Sequence, residues 1–307
     1  MNVVIVGAGA LGSLLGAILA KKSTKRSPLK KLILFDHNRE RAALVNKCGI
    51  TVEAGSGCWR VPVKVVSTAE GLEKVDLVLV CVKAYDTKKA IRQILSACGE
   101  KTLILSLQNG LGNIEVIAEL AGSDKVIGGV TSIGATLLET GHVRYAGKGE
   151  TVIGRLDGKI PVQMRAVRQL FQSANLPMRI TRDIRSLIWS KLIINAGINA
   201  LSAVTRLPNG KLLEYEGTRA IMRDTVTEAV RVAKRKRIKL SYDDPLAKVE
   251  AVCEATAANH SSMLQDISRG RHTEIDYLNG VIVRQARELG IAAPVNSVLV
   301  NLVRTIE

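Results

Sequence analysis

The sequence predicts an α/β protein in two parts: a parallel sheet alternating with helices over residues 1–180, then helices alone over residues 181–307. Three observations lead there. Short aliphatic runs, such as Asn2-Val3-Val4-Ile5-Val6 and Asp76-Leu77-Val78-Leu79-Val80-Cys81-Val82, are apolar at successive positions, as strands covered on both faces of a parallel sheet must be. A glycine-rich turn, Gly7-Ala8-Gly9-Ala10-Leu11-Gly12, joins the first run directly to a helical pattern. Beyond Ile180 the strand pattern stops and only helical periodicity remains.

Composition narrows the function classes. With 307 residues, 47% of them hydrophobic, the chain can build two real cores and is not disordered. No uninterrupted apolar run reaches the roughly 18 residues of a membrane span. The N-terminus reads as a strand followed by a Gly-rich turn and not as a signal peptide, since no charged leader precedes it, so the expectation is a cytoplasmic protein. Five scattered cysteines (Cys48, Cys58, Cys81, Cys98, Cys253), no Cys-x-x-Cys pair and four dispersed histidines indicate reduced thiols and no metal site. Forty-four basic against 28 acidic residues leave a net charge of +16, which favours anionic partners. Aromatic residues make up only 3%, so platforms for stacking bases are scarce. Attraction of an anionic cofactor and substrate explains the charge more simply than nucleic-acid binding does.

The first strand (2–6), the Gly-x-Gly-x-x-Gly turn and the helix from Leu11 to Lys21 form the context that a dinucleotide-binding, Rossmann-type domain requires. Gly7 permits the tight turn, Gly9 lets a pyrophosphate approach the backbone, and Gly12 lets helix and strand pack closely. Ala8, Ala10 and Leu11 complete the loop, and the helix N-terminus offers N–H groups and positive dipole to the phosphates. A basic loop from Ser23 to Lys30 precedes the second strand, Lys31 to Phe35, which ends at Asp36. An acidic residue there accepts hydrogen bonds from the adenosine ribose and repels a 2′-phosphate, so Asp36 leans towards NADH. Asn38, Arg39 and Arg41 follow and could grip the phosphate of NADPH, and Asp36 could instead cap the next helix.

Ile50 to Val66 alternates around Gly55-Ser56-Gly57 and reads as a β-hairpin. Lys83 follows the strand Asp76 to Val82, at a carboxyl end where ligands bind in such sheets. A helix (Asp86 to Ala97) leads to the strand Thr102 to Leu107, followed by Gln108-Asn109-Gly110-Leu111-Gly112, either a site or ordinary Asn-Gly turn chemistry. Lys125 to Ile133, His142 to Tyr145 and Thr151 to Ile153 read as strands, with Gly128-Gly129 and Gly134-Ala135 open to close approach by a ligand. Val162 to Gln172 is the last helix of this half.

The second half begins with an apolar stretch, Ser190 to Ser202, that carries Lys191, Asn195 and Asn199 four residues apart. Each step of four advances about 40° around a helix, so the three polar groups form a slanting row on one face. A buried ammonium and two buried amides are costly without hydrogen bonds. Either the protein satisfies them or a polar ligand does. Further helices are expected from Gly217 to Lys236, Asp244 to Asn259, Thr273 to Leu289 and Asn296 to Ile306. Asp243-Asp244-Pro245 is a good helix start, and the run Arg231 to Lys239 suits a solvated helix end. The residues from His260 to Asp276 read, singly, as a turn and a helix start with Thr273 as a cap.

Taken together, several motifs resemble the ketopantoate reductase (2-dehydropantoate 2-reductase) family. They are Gly7 to Gly12, Val82-Lys83, Gln108-Asn109-Gly110, Lys191-x3-Asn195-x3-Asn199, Leu207-Pro208-Asn209-Gly210, Ser261-Ser262-Met263-Leu264-Gln265-Asp266 and Thr273-Glu274-Ile275-Asp276. They run in order across nearly the whole chain; the first is generic and the last three are distinctive. The resemblance implies an enzyme of pantothenate and coenzyme A biosynthesis that reduces 2-dehydropantoate with NADH or NADPH, with its active site in the cleft between a dinucleotide domain and a helical domain, and a homodimer.

Carried over, Lys191 becomes the general acid that donates a proton to the ketone oxygen. Asn195, Asn199, Asn209 and the stretch from Asn259 to Ser262 would contact substrate, with Ser262 on its carboxylate. Lys83, Asn109, Ala135 and Glu274 would contact the cofactor near its reactive end. One departure concerns the cofactor: members preferring NADPH commonly carry Arg where this chain has Asp36. The loop from Ser23 to Lys30 also looks like an insertion. A related two-domain β-hydroxyacid or sugar-acid dehydrogenase is the nearest alternative, and the Ser-Ser-Met-Leu-Gln-Asp and Thr-Glu-Ile-Asp motifs argue against it. A non-catalytic NAD(P)-sensing protein that binds nucleic acid would keep Gly7 to Gly12 but would not need Lys191.

Overall fold

The computed structural model of the chain describes residues 1–23, 27–55 and 57–307. Thr24, Lys25 and Arg26 of the basic loop, and Ser56 of the expected hairpin turn, lie outside the described residues. The chain divides into two units, Met1–Gln108 with Asn113–Ile184, and Asn109–Gly112 with Arg185–Glu307.

The first unit contains, in order, β1 (Asn2–Val6), α1 (Ala10–Lys21), β2 (Lys31–Phe35), α2 (Arg39–Cys48), β3 (Ile50–Ala54), β4 (Gly57–Val61), β5 (Lys64–Val66) and β6 (Val75–Val80). It continues with α3 (Thr87–Ile94), β7 (Cys98–Ser106), α4 (Asn113–Ala121), β8 (Val126–Thr131), β9 (Gly134–Glu139), β10 (His142–Gly147), β11 (Thr151–Gly154), α5 (Val162–Ser173) and β12 (Met178–Ile180). Eight strands form one sheet in the order β12-β11-β8-β7-β6-β1-β2-β5, parallel except where β11 meets β8. From β1 the chain moves outward through β2 to β5, then returns to the other side of β1 with β6 and moves away through β7 and β8. That reversal, between β1 and β6, is where open α/β sheets bind ligands.

Side-chain alternation along β1 explains its uniform apolarity. Val3 and Ile5 pack into one core with Leu14, Leu15 and Ile18 of α1 and Phe171 of α5. Val4 and Val6 pack into a second core with Ile91 and Ile94 of α3 and Ile117 of α4. Both faces are covered, so both sets must be aliphatic.

The stretch Ile50 to Val66 is not one hairpin. β3 and β4 pair antiparallel from Ile50↔Val61 to Ala54↔Gly57. Pro62 then follows, and a residue without an N–H cannot continue the ladder. Lys64–Val66 instead joins the large sheet beside β2. β3 and β4 belong to a second, four-stranded sheet in the order β4-β3-β10-β9. The sequence reading missed β9, β12 and the helix α4.

The second unit contains α6 (Ile184–Thr205), α7 (Glu216–Arg235), α8 (Pro245–Ala255), α9 (Ser262–Ile267), α10 (Asn279–Glu288) and α11 (Pro294–Ile306). α6 is its core helix, burying Leu192, Ile193, Ala196, Ile198, Ala200 and Leu201. By length and composition alone α6 could cross a membrane, but 67% of that window is buried inside the fold. At Gly197 a Cβ would stand 3.0 Å from Val226 and 3.2 Å from Val249, so α7 and α8 come close to the α6 backbone there.

The start of α8 follows its sequence signal. Asp244 accepts from the Ala247 amide with Pro245 in the first turn. Buried Glu228 on α7 accepts from the Val295 and Asn296 amides, 2.9 Å each, and so caps α11 from outside the helix. Thr273 to Leu289 is not one helix. Thr273 to Tyr277 forms a turn, and α10 begins only at Asn279. Helix α8 stops at Ala255, where Asn259 N closes a turn onto Thr256 O at 2.8 Å.

Candidate active site

In the first unit, the expected nucleotide residues stand at the carboxyl ends of the central strands. Gly7 N donates to Phe35 O and Cys81 N to Val6 O, both 2.9 Å, which brings the ends of β1, β2 and β6 together. Gly7 has φ +105°, and a Cβ on it would meet Val82 Cγ1 and N at 2.9 Å. A Cβ on Gly12 would lie 1.9 Å from Gly7 O, so only glycine lets α1 follow β1 this tightly. At Gly9, by contrast, a Cβ would meet nothing within 4 Å. Gly9 is also the N-cap of α1 and provides no side-chain acceptor for the N–H groups of the first turn. Open space, free N–H donors and a helix dipole together fit a pyrophosphate.

Asp36 closes β2 and is only 3% exposed. Its Oδ1 accepts from Asn38 N at 2.9 Å and from Arg41 Nη2 at 2.7 Å. Its Oδ2 is buried and has no hydrogen-bond partner among the described residues. Asp36 does not cap α2; that role falls to Asn38, whose side chain accepts from Arg41 N. The orphaned acceptor fits a ribose hydroxyl. These residues therefore fit a dinucleotide at both its pyrophosphate and its adenosine ribose.

Lys83 lies at the start of a short turn after β6 and is half-buried. The loop around it is braced by Gln108, whose Nε2 donates to Val82 O at 3.0 Å and to Thr87 Oγ1 at 2.7 Å. Thr87 lies 2.7 Å from Ala84 O and 2.9 Å from Asn113 Oδ1, and Ser106 Oγ donates to Gln108 Oε1 at 3.0 Å. Ala135 sits on β9, opposite Tyr145 of β10 and partly buried against the core that α1 fills.

The remaining expected residues all belong to the second unit, including Asn109, whose segment is otherwise flanked by the first. Gly110 has φ +81° and a Cβ there would lie 2.3 Å from Tyr277 O; Leu111 N donates to the same oxygen at 3.2 Å. The Asn109 segment is thus laid against the turn that carries Glu274.

Lys191, Asn195 and Asn199 do lie on one helix, α6, but they are not equally accessible. Lys191 and Asn195 are half-buried, and Asn199 is only 7% exposed. Burial of the Lys191 ammonium lowers its pKa from 10.5 to about 8, while the charge of buried Glu274 opposes that fall. The carbonyl of the preceding residue, Ser190, accepts from Tyr242 Oη at 2.8 Å, and its hydroxyl accepts from Ser241 N at 2.9 Å. Asn199 Nδ2 lies 3.5 Å from Ser262 Oγ, and Ser261 Oγ lies 3.4 Å from Asn199 O. Ser261 caps α9 by accepting from Leu264 N. That leaves Ser262 exposed at the first turn of α9.

Asn209 is 7% exposed; its backbone N donates to Asn259 O at 2.9 Å and its Nδ2 to Thr256 Oγ1 at 2.8 Å. Its Oδ1 is buried with no partner among the described residues. Asn259 itself is exposed. Two pairs therefore meet within this unit, Asn199 with Ser262 and Asn209 with Asn259, and the charge of Glu274 acts on Lys191. Sequence reasoning did not find Tyr242, Thr256, Thr87 or Asn113, because each acts through hydrogen bonds to residues distant in the sequence, which leave no local pattern. No cluster of three or more His, Cys, Asp or Glu that could hold a metal occurs among the described residues.

An ammonium whose pKa burial lowers to about 8, within the field of a buried carboxylate and on a helix with two amides, suits proton donation to a polar substrate. Residues 3–158 match the family model described as Ketopantoate reductase PanE/ApbA, and residues 183–307 match Ketopantoate reductase PanE/ApbA C terminal. A 2-dehydropantoate 2-reductase of Halobacterium salinarum is 38% identical over 305 residues, covering 99% of this chain and 98% of the relative. The crystal structure of a PanE/ApbA family ketopantoate reductase from Ralstonia eutropha superposes with a TM-score of 0.90 at 36% identity, covering 100% of this chain and 98% of that one. A D-mandelate dehydrogenase solved with NADH and anilino(oxo)acetate superposes with a TM-score of 0.91 at 25% identity, covering 100% and 98%.

Proposed function

The chain belongs to the ketopantoate reductase family and reduces 2-dehydropantoate to pantoate with hydride from NAD(P)H, and from that premise we propose which residues do the work. Lys191 is the proton donor. The observation that carries this is its ammonium, held at about 8 by burial against the charge of Glu274, on the helix that also presents Asn195 and Asn199.

When bound, the reduced nicotinamide supplies the hydride that reaches the ketone carbon. As negative charge develops on the ketone oxygen, Lys191 hydrogen-bonds that oxygen and gives up its Nζ proton. Asn195 and Asn199 hold the substrate's polar atoms, and Ser262, exposed at the first turn of α9, receives its carboxylate. Asn209 Oδ1 accepts from a substrate hydroxyl. Gly7 to Gly12 bind the pyrophosphate through Ala8, Gly9, Ala10 and Leu11 backbone, and Lys83, Asn109, Ala135 and Glu274 serve the cofactor's reactive end.

Asp36 makes NADH the better cofactor: a carboxylate with one buried oxygen that lacks a partner among the described residues suits a ribose hydroxyl and repels a 2′-phosphate. The working form we expect is a cytoplasmic homodimer of the units 1–180 and 181–307, with the +16 charge drawing in anionic cofactor and substrate rather than nucleic acid.

The likeness to a D-mandelate dehydrogenase sets the test. Turnover is followed as loss of reduced-nicotinamide absorbance with 2-dehydropantoate and, separately, with the aryl 2-keto acid that corresponds to mandelate. The proposed reading expects the former to have the higher kcat/KM by orders of magnitude. The reverse order would move this chain to another substrate on the same fold.

A further inference from the structure

Glu274 owes its place to a carboxylate on another element. Its neighbour Thr273 is 6% exposed and donates twice to Glu307 Oε1, from the backbone N at 2.9 Å and from Oγ1 at 2.5 Å. Thr273 Oγ1 also accepts from Ile275 N at 3.1 Å. The other oxygen of Glu307 faces His272 Nδ1 at 3.0 Å. The Glu307 side chain is 12% exposed, and its bonds to Thr273 are partly shielded from water while the contact with His272 faces solvent. Burial pushes its carboxyl up, but Thr273 and His272 together pull it below the ordinary value. A carboxylate receiving such charge-assisted bonds grips harder than a neutral acceptor.

One side chain therefore fixes the backbone on both sides of Glu274, between His272 and Ile275. From there the turn closes through Tyr277 N and Leu278 N onto Glu274 O, at 3.0 and 3.1 Å. The same turn receives Leu111 N of the Asn109 segment.

We propose that Glu307 is a positioning residue for the reduction: through Thr273 it sets where Glu274 stands against Lys191. The proposal rests on the reading of Lys191 as the acid. It goes beyond that reading because Glu307 acts through Thr273 and not on the reacting atoms. Charged groups around the anchor are His272, which is 80% exposed, and the Arg304–Asp276 ion pair at 2.6 Å, which independently ties α11 to the turn. The charge that acts on Lys191 is Glu274. With Glu307 removed, Arg304 still tethers the turn, so the fold persists while Glu274 gains freedom. A carboxylate that drifts away supports the ammonium less, and Lys191 then loses its proton at lower pH.

The test is the pH profile of kcat/KM for the wild type, Glu307→Ala, Glu307→Gln, Thr273→Val and Arg304→Ala, each with its melting temperature. Glu307→Ala should lower kcat on the order of tenfold or more, as small misplacements near a reacting group do. Its alkaline limb should move down by roughly one pH unit. Glu307→Gln keeps an oxygen for Thr273 and should restore most of the wild-type profile. Thr273→Val should move the limb the same way, and combining it with Glu307→Ala should add little. Arg304→Ala should leave the limb in place.

An unmoved limb in a folded Glu307→Ala or Thr273→Val protein, even one of lowered melting temperature, overturns the proposal. Failure of Glu307→Gln to rescue does the same. If Glu307→Ala does not fold, Thr273→Val and Glu307→Gln decide. Undiminished turnover in Lys191→Ala would instead remove the underlying reading, which keeps the two failures apart.

Discussion

Arg41 engages only one oxygen of Asp36: its Nη2 donates to Oδ1 at 2.7 Å, and Oδ2 is left buried without a partner among the described residues. The carboxylate is therefore oriented by the protein and keeps one oxygen unpartnered among the described residues. Replacing Asp36 with Ala removes the acceptor and frees Arg41 at once. The expected result is a loss of about tenfold or more in kcat/KM for NADH, the size of one charged hydrogen bond. NADPH should gain over the same change, because Arg41 becomes available to a 2′-phosphate. Steady-state kinetics with both cofactors check it; an unchanged NADH-to-NADPH ratio would count against Asp36 as the selector.

Two glycines of one loop should fail in different ways. A Cβ at Gly9 meets nothing in the protein, so Gly9→Ala should melt at nearly the wild-type temperature. It should nevertheless bind NADH weakly, because the methyl group occupies the approach of the pyrophosphate. A Cβ at Gly12 collides with Gly7 O, so Gly12→Ala should cost about 1–3 kcal/mol or more in stability. Thermal melts and fluorescence titration of NADH separate the two.

Gln108 is expected to matter through the loop it braces. Gln108→Ala leaves Val82 O and the Ser106 hydroxyl without this partner, at a cost of about 1–3 kcal/mol. Because Val82 precedes Lys83, the variant should raise the dissociation constant for the cofactor. Gln108→Glu loses the Nε2 donor alone and should show the same direction. A stability loss without any change in nucleotide affinity would make Gln108 a purely structural brace.

The parts of this fold that were legible are those with enough residues to show a period. β1, β2 and the helix after the glycine loop have long apolar runs and unambiguous glycines, and the helix row Lys191-Asn195-Asn199 needs only spacing. β12 has three residues, too few for alternation. α4 was hidden behind Gln108-Asn109-Gly110-Leu111-Gly112, whose turn chemistry dominates the local reading. Ile50 to Val66 alternates throughout, yet its last three residues serve a different sheet, and period alone does not say which partner a strand takes. At the site, spacing alone showed the polar row of Lys191, Asn195 and Asn199 and the acidic end of the second strand at Asp36; the acid role of Lys191 came only from the family resemblance. The supports came only with the structure, because Tyr242, Thr256, Thr273 and Glu307 act across long sequence separations.

Lys191 is the centre of the account, and its charge state fixes the pH dependence. The acid must be protonated to donate, so activity should hold below its pKa and fall as pH rises through about 8. The most direct measurement is the pH profile of 2-dehydropantoate reduction by the wild type beside Lys191→Ala, with NADH binding followed by fluorescence in both. The account predicts an alkaline limb near 8 in the wild type, a loss of about 10²–10⁴-fold in kcat in the variant, and NADH binding retained. Turnover undiminished in Lys191→Ala, with the same alkaline limb, would contradict it.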